Sequence, residues 1–284
     1  MLPNLIIIGA QKCGTTRLHY YLGLHPQIFM SKEKELEFFI EERNWPNGLA
    51  WYASNFKGRA KIYGESSPNY SYYPRFTGVP ARMHAIEPKA KLIYIVRDPI
   101  ERMISSYIQN CSGGRENRSI EEALRSPNNQ YRYRSLYYMQ LMQYLAHYPA
   151  SQIVVITNED LECNLPSTLR KVFEFLDVDP DFCSRWYALR RHSTARKRRK
   201  TGIGMRLTQT PPMKLLRRIP LRLRWPIEDL LYFPFSRKIG RPVLDDSLRQ
   251  ELIDYLRDDI NRLREFTGNN FENWCLEFYR HMNI

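Results

Sequence analysis

The chain of 284 residues carries 43 Lys and Arg against 30 Asp and Glu, which gives a formal net charge of +13 at neutral pH. Its content of 43% hydrophobic and 26% charged residues describes a globular chain and excludes wholesale disorder or a fibrous repeat. The surplus of positive charge predicts an anionic partner: a nucleic acid, a membrane surface, or a small molecule bearing phosphate or sulfate.

The five cysteines are scattered, odd in number and form no C-x-x-C pair, so they give little support for a disulfide framework or a zinc site. They favour a reducing compartment. No apolar run reaches the roughly 18 residues of a membrane span, and the run at 5–8 ends in Gly9 rather than in a leader cleavage site. We therefore expect a cytoplasmic protein with no metal site and no membrane span, unless an anchor has been removed.

The predicted elements alternate between strands and helices. An aliphatic run at 5–8 is typical of a strand buried on both faces, and a glycine-containing loop at 9–14 and a helix at 15–22 follow it. Further strands are predicted at 60–64, 91–96 and 152–156. Helices are predicted at 82–86, 136–148, 165–176 and 245–266. This order predicts a single α/β domain with a parallel sheet and a ligand site at the carboxyl ends of its strands.

The segment 185–236 is rich in Arg, Lys and Pro and shows little periodicity, so we predict an irregular or short-helical structure there. Its residues 190–200 hold the densest positive charge in the chain. That run is either a solvated surface or a contact for nucleic acid or an anionic membrane. The sequence has no zinc-finger, RNP or helix-turn-helix pattern to support nucleic-acid binding as the main function.

The sequence GAQKCGTT at 9–16, called the phosphate loop below, lies between the first strand and the first helix. Backbone N–H groups at a helix N-terminus and the threonine hydroxyls favour a bound anion there. In the loop of nucleotide triphosphatases a lysine follows the second glycine, whereas Lys12 precedes Gly14 by two residues. A nucleotide-dependent kinase is therefore disfavoured but stays an alternative, as does a turn with a merely solvated lysine.

A second candidate anion site follows the predicted strand at 91–96. Arg97 leaves this strand at its carboxyl end, and Pro99 suits the first turn of a helix that would carry Ser105. Arg97 and Ser105 could share an anion at the edge where the phosphate loop lies. Equally, Arg97 could form a structural ion pair with Asp98, and Ser105 could be a small packing residue.

Together the two motifs resemble the sulfotransferases that use 3′-phosphoadenosine 5′-phosphosulfate (PAPS), especially the heparan-sulfate-type and bacterial carbohydrate branch. The phosphate loop is similar to the family's 5′-phosphosulfate loop, and RDPIERMISSY at 97–107 matches its 3′-phosphate motif R-[DN]-P-x-x-R-x-x-S-x-Y. The segment GESSPNY at 64–70 is similar to the family's E-K-T/S-P-x-Y segment. The resemblance covers most of the chain and is weakest at 185–236.

The resemblance implies a single sulfotransferase domain over 1–284, with a P-loop-like parallel sheet flanked by helices. It implies PAPS as the sulfuryl donor, 3′-phosphoadenosine 5′-phosphate (PAP) as the product and no metal. The acceptor would be a small molecule or saccharide that carries a hydroxyl. Residues 190–200 would either close over the 3′-phosphate of the donor or attract an anionic acceptor. The donor-binding residues it implies are Gln11, Lys12, Cys13, Gly14, Thr15, Thr16, Arg97 and Ser105.

By the same resemblance, Lys12 neutralises charge on the leaving phosphate and Glu65 is the general base that takes the acceptor's proton. Glu65 could instead be an exposed loop carboxylate, and a histidine is the alternative base. Lys34 either approaches the sulfuryl group or is a solvated member of a charged run. The aromatic residues at 38–39, 45, 51 and 70–73 either line an acceptor pocket or belong to the core.

Overall fold

The computed structural model describes residues 1–127, 129–188, 198–200, 236–238, 240–274 and 276. A five-stranded sheet in the order β2-β3-β1-β4-β5 forms its centre, and every neighbouring pair is parallel. The predicted parallel α/β fold is therefore confirmed. The strands are β1 (Leu5–Gly9), β2 (Ile28–Met30), β3 (Ile62–Ser66), β4 (Lys91–Val96) and β5 (Ile153–Thr157).

Helices connect and cover these strands. Their bounds are α1 (Thr15–Leu22), α2 (Gly48–Ala53), α3 (Val79–Ile86), α4 (Pro99–Ser112), α5 (Ile120–Arg125), α6 (Gln130–Tyr133), α7 (Tyr137–Leu145), α8 (Asn158–Cys163), α9 (Leu165–Leu176) and α10 (Asp246–Thr267). Short 3-10 turns lie at Trp45–Asn47, Pro68–Ser71, Ala150–Gln152 and Arg185–Ala188. Among the described residues, none of the helices combines the length and the apolar character that crossing a membrane requires.

The central strands are buried because both faces of the sheet are covered. All five residues of β1 and of β3 are buried. The aliphatic sequence of β1 is typical of a strand in a doubly covered parallel sheet, whereas β3 buries the polar residues Glu65 and Ser66. The long helix α10 places five apolar side chains on one buried face and packs against α7. These five are Leu248, Leu252, Leu256, Ile260 and Leu263.

Three sequence predictions need correction. The strand β2 was missed because its three residues are too few for a periodic pattern. The weak strand predicted at 60–64 extends instead to Ser66, and the helix predicted from 82 begins at Val79. Both boundary errors matter, because the true end of β3 determines which side chains reach the edge of the sheet.

The segment 185–236 lies mostly outside the described residues, and so does the basic run except for 198–200. The described parts form the turn at Arg185–Ala188 and two antiparallel strands, β6 (Arg198–Lys200) and β7 (Ser236–Lys238). The pairing of β6 with β7 places residues 198–200 beside residues 236–238, shortly before the start of α10.

Candidate active site

The carboxyl ends of the parallel strands bring the predicted motifs to one edge of the sheet. The phosphate loop follows β1, the turn at Pro68–Ser71 follows β3, and Arg97 follows β4. Since β1 lies between β3 and β4, the loop is flanked on both sides by the other two segments. The backbone N–H of Ala10 donates to the carbonyl of Ile95 at 2.6 Å and ties the loop to β4.

Within the phosphate loop, Gly14 is required by its geometry. It caps the N-terminus of α1 with φ = 97°, and a Cβ added there would lie 2.6 Å from Asn158 Oδ1. A side chain at this position would therefore meet both backbone strain and a clash. At the first turn of the helix Thr15 is buried and Thr16 is exposed.

The other predicted ligands of the loop differ in burial. Lys12 is half-buried and adopts a left-handed conformation with φ = 74°. Gln11 is half-buried as well, and its Oε1 is enclosed without a hydrogen-bond partner. The Cys13 thiol turns into the protein, 3.6 Å from the Tyr137 hydroxyl, and its burial raises the pKa to about 11. Cys13 can therefore contribute to anion binding through its backbone alone.

Arg97 is held at the sheet edge by an ion pair. Its Nη2 lies 3.2 Å from Glu101 Oε2, one turn into α4, and its side chain is 22% exposed. Arg241, close to the start of α10, contacts both oxygens of the same carboxylate. Asp98 caps α4 by accepting from the Glu101 N–H at 2.9 Å. Ser105 is buried on α4, two turns further on.

The carboxylate of Glu65 is enclosed. Its residue is 0% exposed, and it accepts hydrogen bonds from the hydroxyls of Tyr52 (2.6 Å) and Tyr70 (2.8 Å) on Oε1 and of Ser67 (2.9 Å) on Oε2. Burial raises its pKa, and the three hydrogen bonds oppose that rise. A general base must contact the proton that it removes. The assignment of Glu65 as the base stays a prediction, and this enclosed geometry does not favour it.

A second carboxylate at the same edge is open. The Glu35 N–H donates to the carbonyl of Ser66 at 3.0 Å, which places Glu35 directly beyond the end of β3. Its side chain is 50% exposed and lies 2.7 Å from Lys34 Nζ, whose side chain is 20% exposed. Sequence reasoning passed over Glu35 because it sits among alternating Lys and Glu residues, a pattern typical of a solvated surface.

The histidine alternative receives little support from the four histidines in the described residues. His19 is mostly buried beside Ser31, and burial, with the charge of Lys34, lowers its pKa to about 4. His25 packs between Phe173 and Phe182. His84 and His147 lie near the amino ends of the strands, away from the phosphate loop. His192 and His281 are outside the described residues.

The aromatic residues near Glu65 belong largely to the core. Phe38 and Phe39 are 1% and 0% exposed, and the ring of Phe38 stacks on Tyr52 with centroids 4.2 Å apart. Trp45 and Trp51 are only partly buried and pack around Phe38. The Phe-Phe pair thus supports the segment before it instead of lining a pocket.

Two further contacts at this edge were not foreseen. Arg17 on α1 donates to Asn158 Oδ1 and to Glu162 Oε1, both at 2.8 Å, and so joins the phosphate-loop helix to α8. Arg241 reaches Glu101 from far along the chain. The local sequence predicts neither contact, because each joins residues about 140 positions apart.

Comparison with known proteins identifies the family. The family model described as "Sulfotransferase domain" matches residues 2–201, which is more than half of the chain. The protein belongs to the sulfotransferase family. It is similar to a membrane-associated sulfotransferase, kil1, of Dictyostelium discoideum, with 40% identity over 37% of this chain. It is 32% identical to human heparan sulfate glucosamine 3-O-sulfotransferase 5 over 63% of this chain.

This sulfotransferase covers only part of those relatives: 22% of the kil1 sequence and 54% of the human 3-O-sulfotransferase. A solved sulfotransferase from Alicyclobacillus acidocaldarius has the same fold, with a TM-score of 0.69 over 96% of this chain and 99% of that chain. At 24% identity, that likeness concerns the fold. The predicted sulfotransferase fold, a parallel sheet flanked by helices, is confirmed.

Proposed function

We propose that this sulfotransferase moves a sulfuryl group from PAPS to a hydroxyl of an acceptor. The supporting observation is that two anion-binding elements meet at one sheet edge, the phosphate loop after β1 and Arg97 after the neighbouring strand β4. PAPS carries one anionic group at each ribose end, the 5′-phosphosulfate and the 3′-phosphate. Two adjacent cationic elements fit such a donor better than they fit a ligand with a single anionic group.

The residues of each element have distinct roles in this proposal. Lys12, Gly14, Thr15 and Thr16 bind the 5′-phosphosulfate, with Gln11 and the backbone of Cys13 completing the loop. Arg97 and Ser105 bind the 3′-phosphate, and Arg241 adds a second guanidinium beside Arg97. A 3′-phosphate in place of a 3′-hydroxyl is what would distinguish PAPS from ATP at this site.

The transfer breaks the bond between sulfur and the bridging oxygen of the 5′-phosphate, and forms a bond between sulfur and the acceptor oxygen. Lys12 neutralises the charge that develops on the leaving phosphate. The acceptor hydroxyl loses its proton as the new bond forms, and a base must take it. We assign that base to Glu35, because it is an exposed carboxylate just beyond the end of β3, the strand next to β1, whereas Glu65 is enclosed.

A saccharide is the acceptor class that we favour. The relatives named as heparan sulfate sulfotransferases support this choice, as does the resemblance of residues 64–70 to the carbohydrate branch. An anionic saccharide would also account for a net charge of +13 without a nucleic-acid partner.

Isothermal calorimetry tests the donor class directly. The protein is titrated with PAP, with ATP–Mg²⁺ and with an oligonucleotide, each in the same buffer. We expect tight binding of PAP alone, without added metal. Tight binding of ATP–Mg²⁺ would support the kinase alternative, and binding of the oligonucleotide alone would support a nucleic-acid-binding protein.

The assignment of Arg97 predicts a selective loss. Arg97→Ala should weaken binding of PAP by about 10- to 100-fold, because a hydrogen bond to a charged group contributes about 1.5–3 kcal/mol. Binding of adenosine 5′-phosphosulfate, which lacks the 3′-phosphate, should change little. Arg170→Ala, which removes an exposed arginine from α9, is the matched control. Equal losses of affinity for both nucleotides would show that Arg97 does not bind the 3′-phosphate.

A further inference from the structure

We propose that Glu65 is a positioning residue, which holds the segment carrying Lys34 and Glu35 against the end of β3. This inference rests on the proposed function in one respect: the proposed function is what gives that segment a role in sulfuryl transfer. Residues 34–39 are called the acidic segment below. The hydrogen bonds of Glu65 point to this role, because all three of its hydroxyl donors also contact the acidic segment.

Ser67 is the first connection. Its Oγ donates to Glu65 Oε2 at 2.9 Å and accepts from the backbone N–H of Glu37 at 3.0 Å. A hydroxyl has a single proton. Because Ser67 Oγ donates this proton in its hydrogen bond to Glu65, the oxygen can only accept from the backbone N–H of Glu37.

Tyr70 and Tyr52 are the other two connections. The Tyr70 hydroxyl donates to Glu65 Oε1 at 2.8 Å and accepts from the Phe39 N–H at 3.4 Å. The Tyr52 hydroxyl donates to the same oxygen at 2.6 Å, and its ring stacks on Phe38. Glu65 thus reaches three consecutive residues of the acidic segment, 37, 38 and 39, through three different side chains.

The backbone of the acidic segment needs such support. Glu35 and Glu37 have φ values of 64° and 49°, in the left-handed region that non-glycine residues rarely adopt. Conformations of this kind persist where the surroundings hold them in place. The bond from the Glu35 N–H to the Ser66 carbonyl completes the attachment, one residue beyond Glu65.

A carboxylate suits this position better than an amide. The two oxygens of the carboxylate accept hydrogen bonds from all three hydroxyls. A glutamine side chain has only one oxygen, and its NH₂ group can only donate. In Glu65→Gln at least one of the three hydroxyls therefore loses its hydrogen bond to residue 65 and must donate to another acceptor. The acidic segment then loses part of its attachment, although Lys34 and Glu35 are unchanged.

The test compares Glu65→Gln with Ser67→Ala, Tyr70→Phe and the double variant Glu65→Gln/Ser67→Ala. Glu33→Gln, an exposed carboxylate just before the acidic segment, is the matched control. Hydrogen–deuterium exchange is measured on the amides of Glu37 and Phe39, and PAP affinity by calorimetry. Turnover is followed as PAP released from PAPS across pH, with desulfated heparan sulfate as the acceptor probe and with water alone in parallel.

We expect Ser67→Ala to increase exchange at Glu37, Tyr70→Phe to increase it at Phe39, and Glu65→Gln to increase at least one of the two. Turnover should fall about 10- to 100-fold in Glu65→Gln and Ser67→Ala, as expected when a reacting group is misplaced by about 1 Å. The double variant should lose no more than the single ones. PAP affinity should stay within about twofold, and the acidic limb of the pH–rate profile should persist in Glu65→Gln.

Two results would overturn the inference: loss of the acidic limb in Glu65→Gln, which would make Glu65 the base, or losses in Glu65→Gln and Ser67→Ala that multiply. If Glu65→Gln does not fold, unchanged exchange and turnover in Ser67→Ala and Tyr70→Phe would overturn it equally. Failure of the proposed function looks different, since the wild-type protein would then neither bind PAP nor release it from PAPS. The exchange measurements decide the positioning role in that case too.

Discussion

Three charged residues at the candidate active site have a strained backbone conformation. Lys12, Glu35 and Glu37 all have positive φ values, and all three lie at the carboxyl edge of the sheet. Each such residue costs about 1–3 kcal/mol, which the surrounding contacts must offset. Strain of this kind is typical of functional sites, and here it fixes the direction of the cation and of the carboxylates.

Cys13 offers a prediction at the residue scale. Burial raises the pKa of its thiol to about 11, so the reactive thiolate is scarce at pH 8. Iodoacetamide should therefore modify the exposed Cys163 and Cys183 well before Cys13, as followed by peptide mass spectrometry. Bound PAP should not change this order. Labelling of Cys13 at the rate of the exposed cysteines would show that the floor of the phosphate loop is open.

How far the sequence predicts the site depends on whether a residue's contacts are local. The phosphate loop and Arg97 follow strands with clear aliphatic patterns, and both lie where those patterns predict. Glu65 lies at the predicted edge of the sheet, but inside β3 and not beyond its end. Its enclosure depends on Tyr52, which belongs to a short helix that no periodicity revealed. Glu35 could not be predicted for a different reason. Its local sequence pattern indicates an exposed surface, and only the hydrogen bond to Ser66 places it at the site.

At the scale of elements, α7 begins on a cap supplied by another helix. The Asp259 carboxylate on α10 accepts from the N–H groups of Tyr138 (2.9 Å) and Tyr138's neighbour Met139 (2.8 Å). The first turn of a helix leaves its amides without partners inside the helix, so this contact replaces a local cap. It fixes α10 to the start of α7 in addition to their apolar contact.

Burial raises the pKa of Asp259 from 3.8 to about 6, in spite of the two N–H donors. A raised pKa favours the folded state while the group is protonated, so this contribution is complete below pH 3.8 and is lost as the pH rises through about 6. Asp259→Asn should lack this contribution of Asp259 to the pH dependence of the free energy of unfolding. The free energy of unfolding of the wild-type protein, relative to this variant, should fall by on the order of 3 kcal/mol between pH 4 and pH 7.

Urea unfolding at several pH values measures this difference. Asp258→Asn removes a neighbouring exposed carboxylate from the same helix and should follow the wild-type profile. A constant difference between wild type and Asp259→Asn across this pH range would show that Asp259 titrates as an ordinary surface carboxyl.

At the scale of the whole molecule, the order of the strands could not be read from the sequence. Alternating strands and helices predict a parallel sheet, but they do not state that β1 lies in the middle with β3 and β4 on either side. That arrangement follows from packing between distant segments. It is what brings the two anion-binding elements and the acidic segment together at one edge.

The proposed single domain over 1–284 predicts one cooperative unfolding transition. One buried core extends from β1 through α10 and includes residues of the whole five-stranded sheet. In differential scanning calorimetry the measured enthalpy should equal the van't Hoff enthalpy, and PAP should raise the midpoint of that one transition. Two resolved transitions, of which PAP shifts only one, would divide the chain into two domains.

Tyr137 links features that have so far been treated separately. Its hydroxyl donates to the Arg97 carbonyl at 2.8 Å and lies beside the Cys13 thiol, and it opens the helix that Asp259 caps. The family model ends at residue 201, before Asp259 and Arg241. A chimera that grafts residues 2–201 onto a foreign C-terminus would therefore keep the phosphate loop and its contact with Tyr137. It would lose the Asp259 cap on the first turn of α7 and the contact of Arg241 with Glu101.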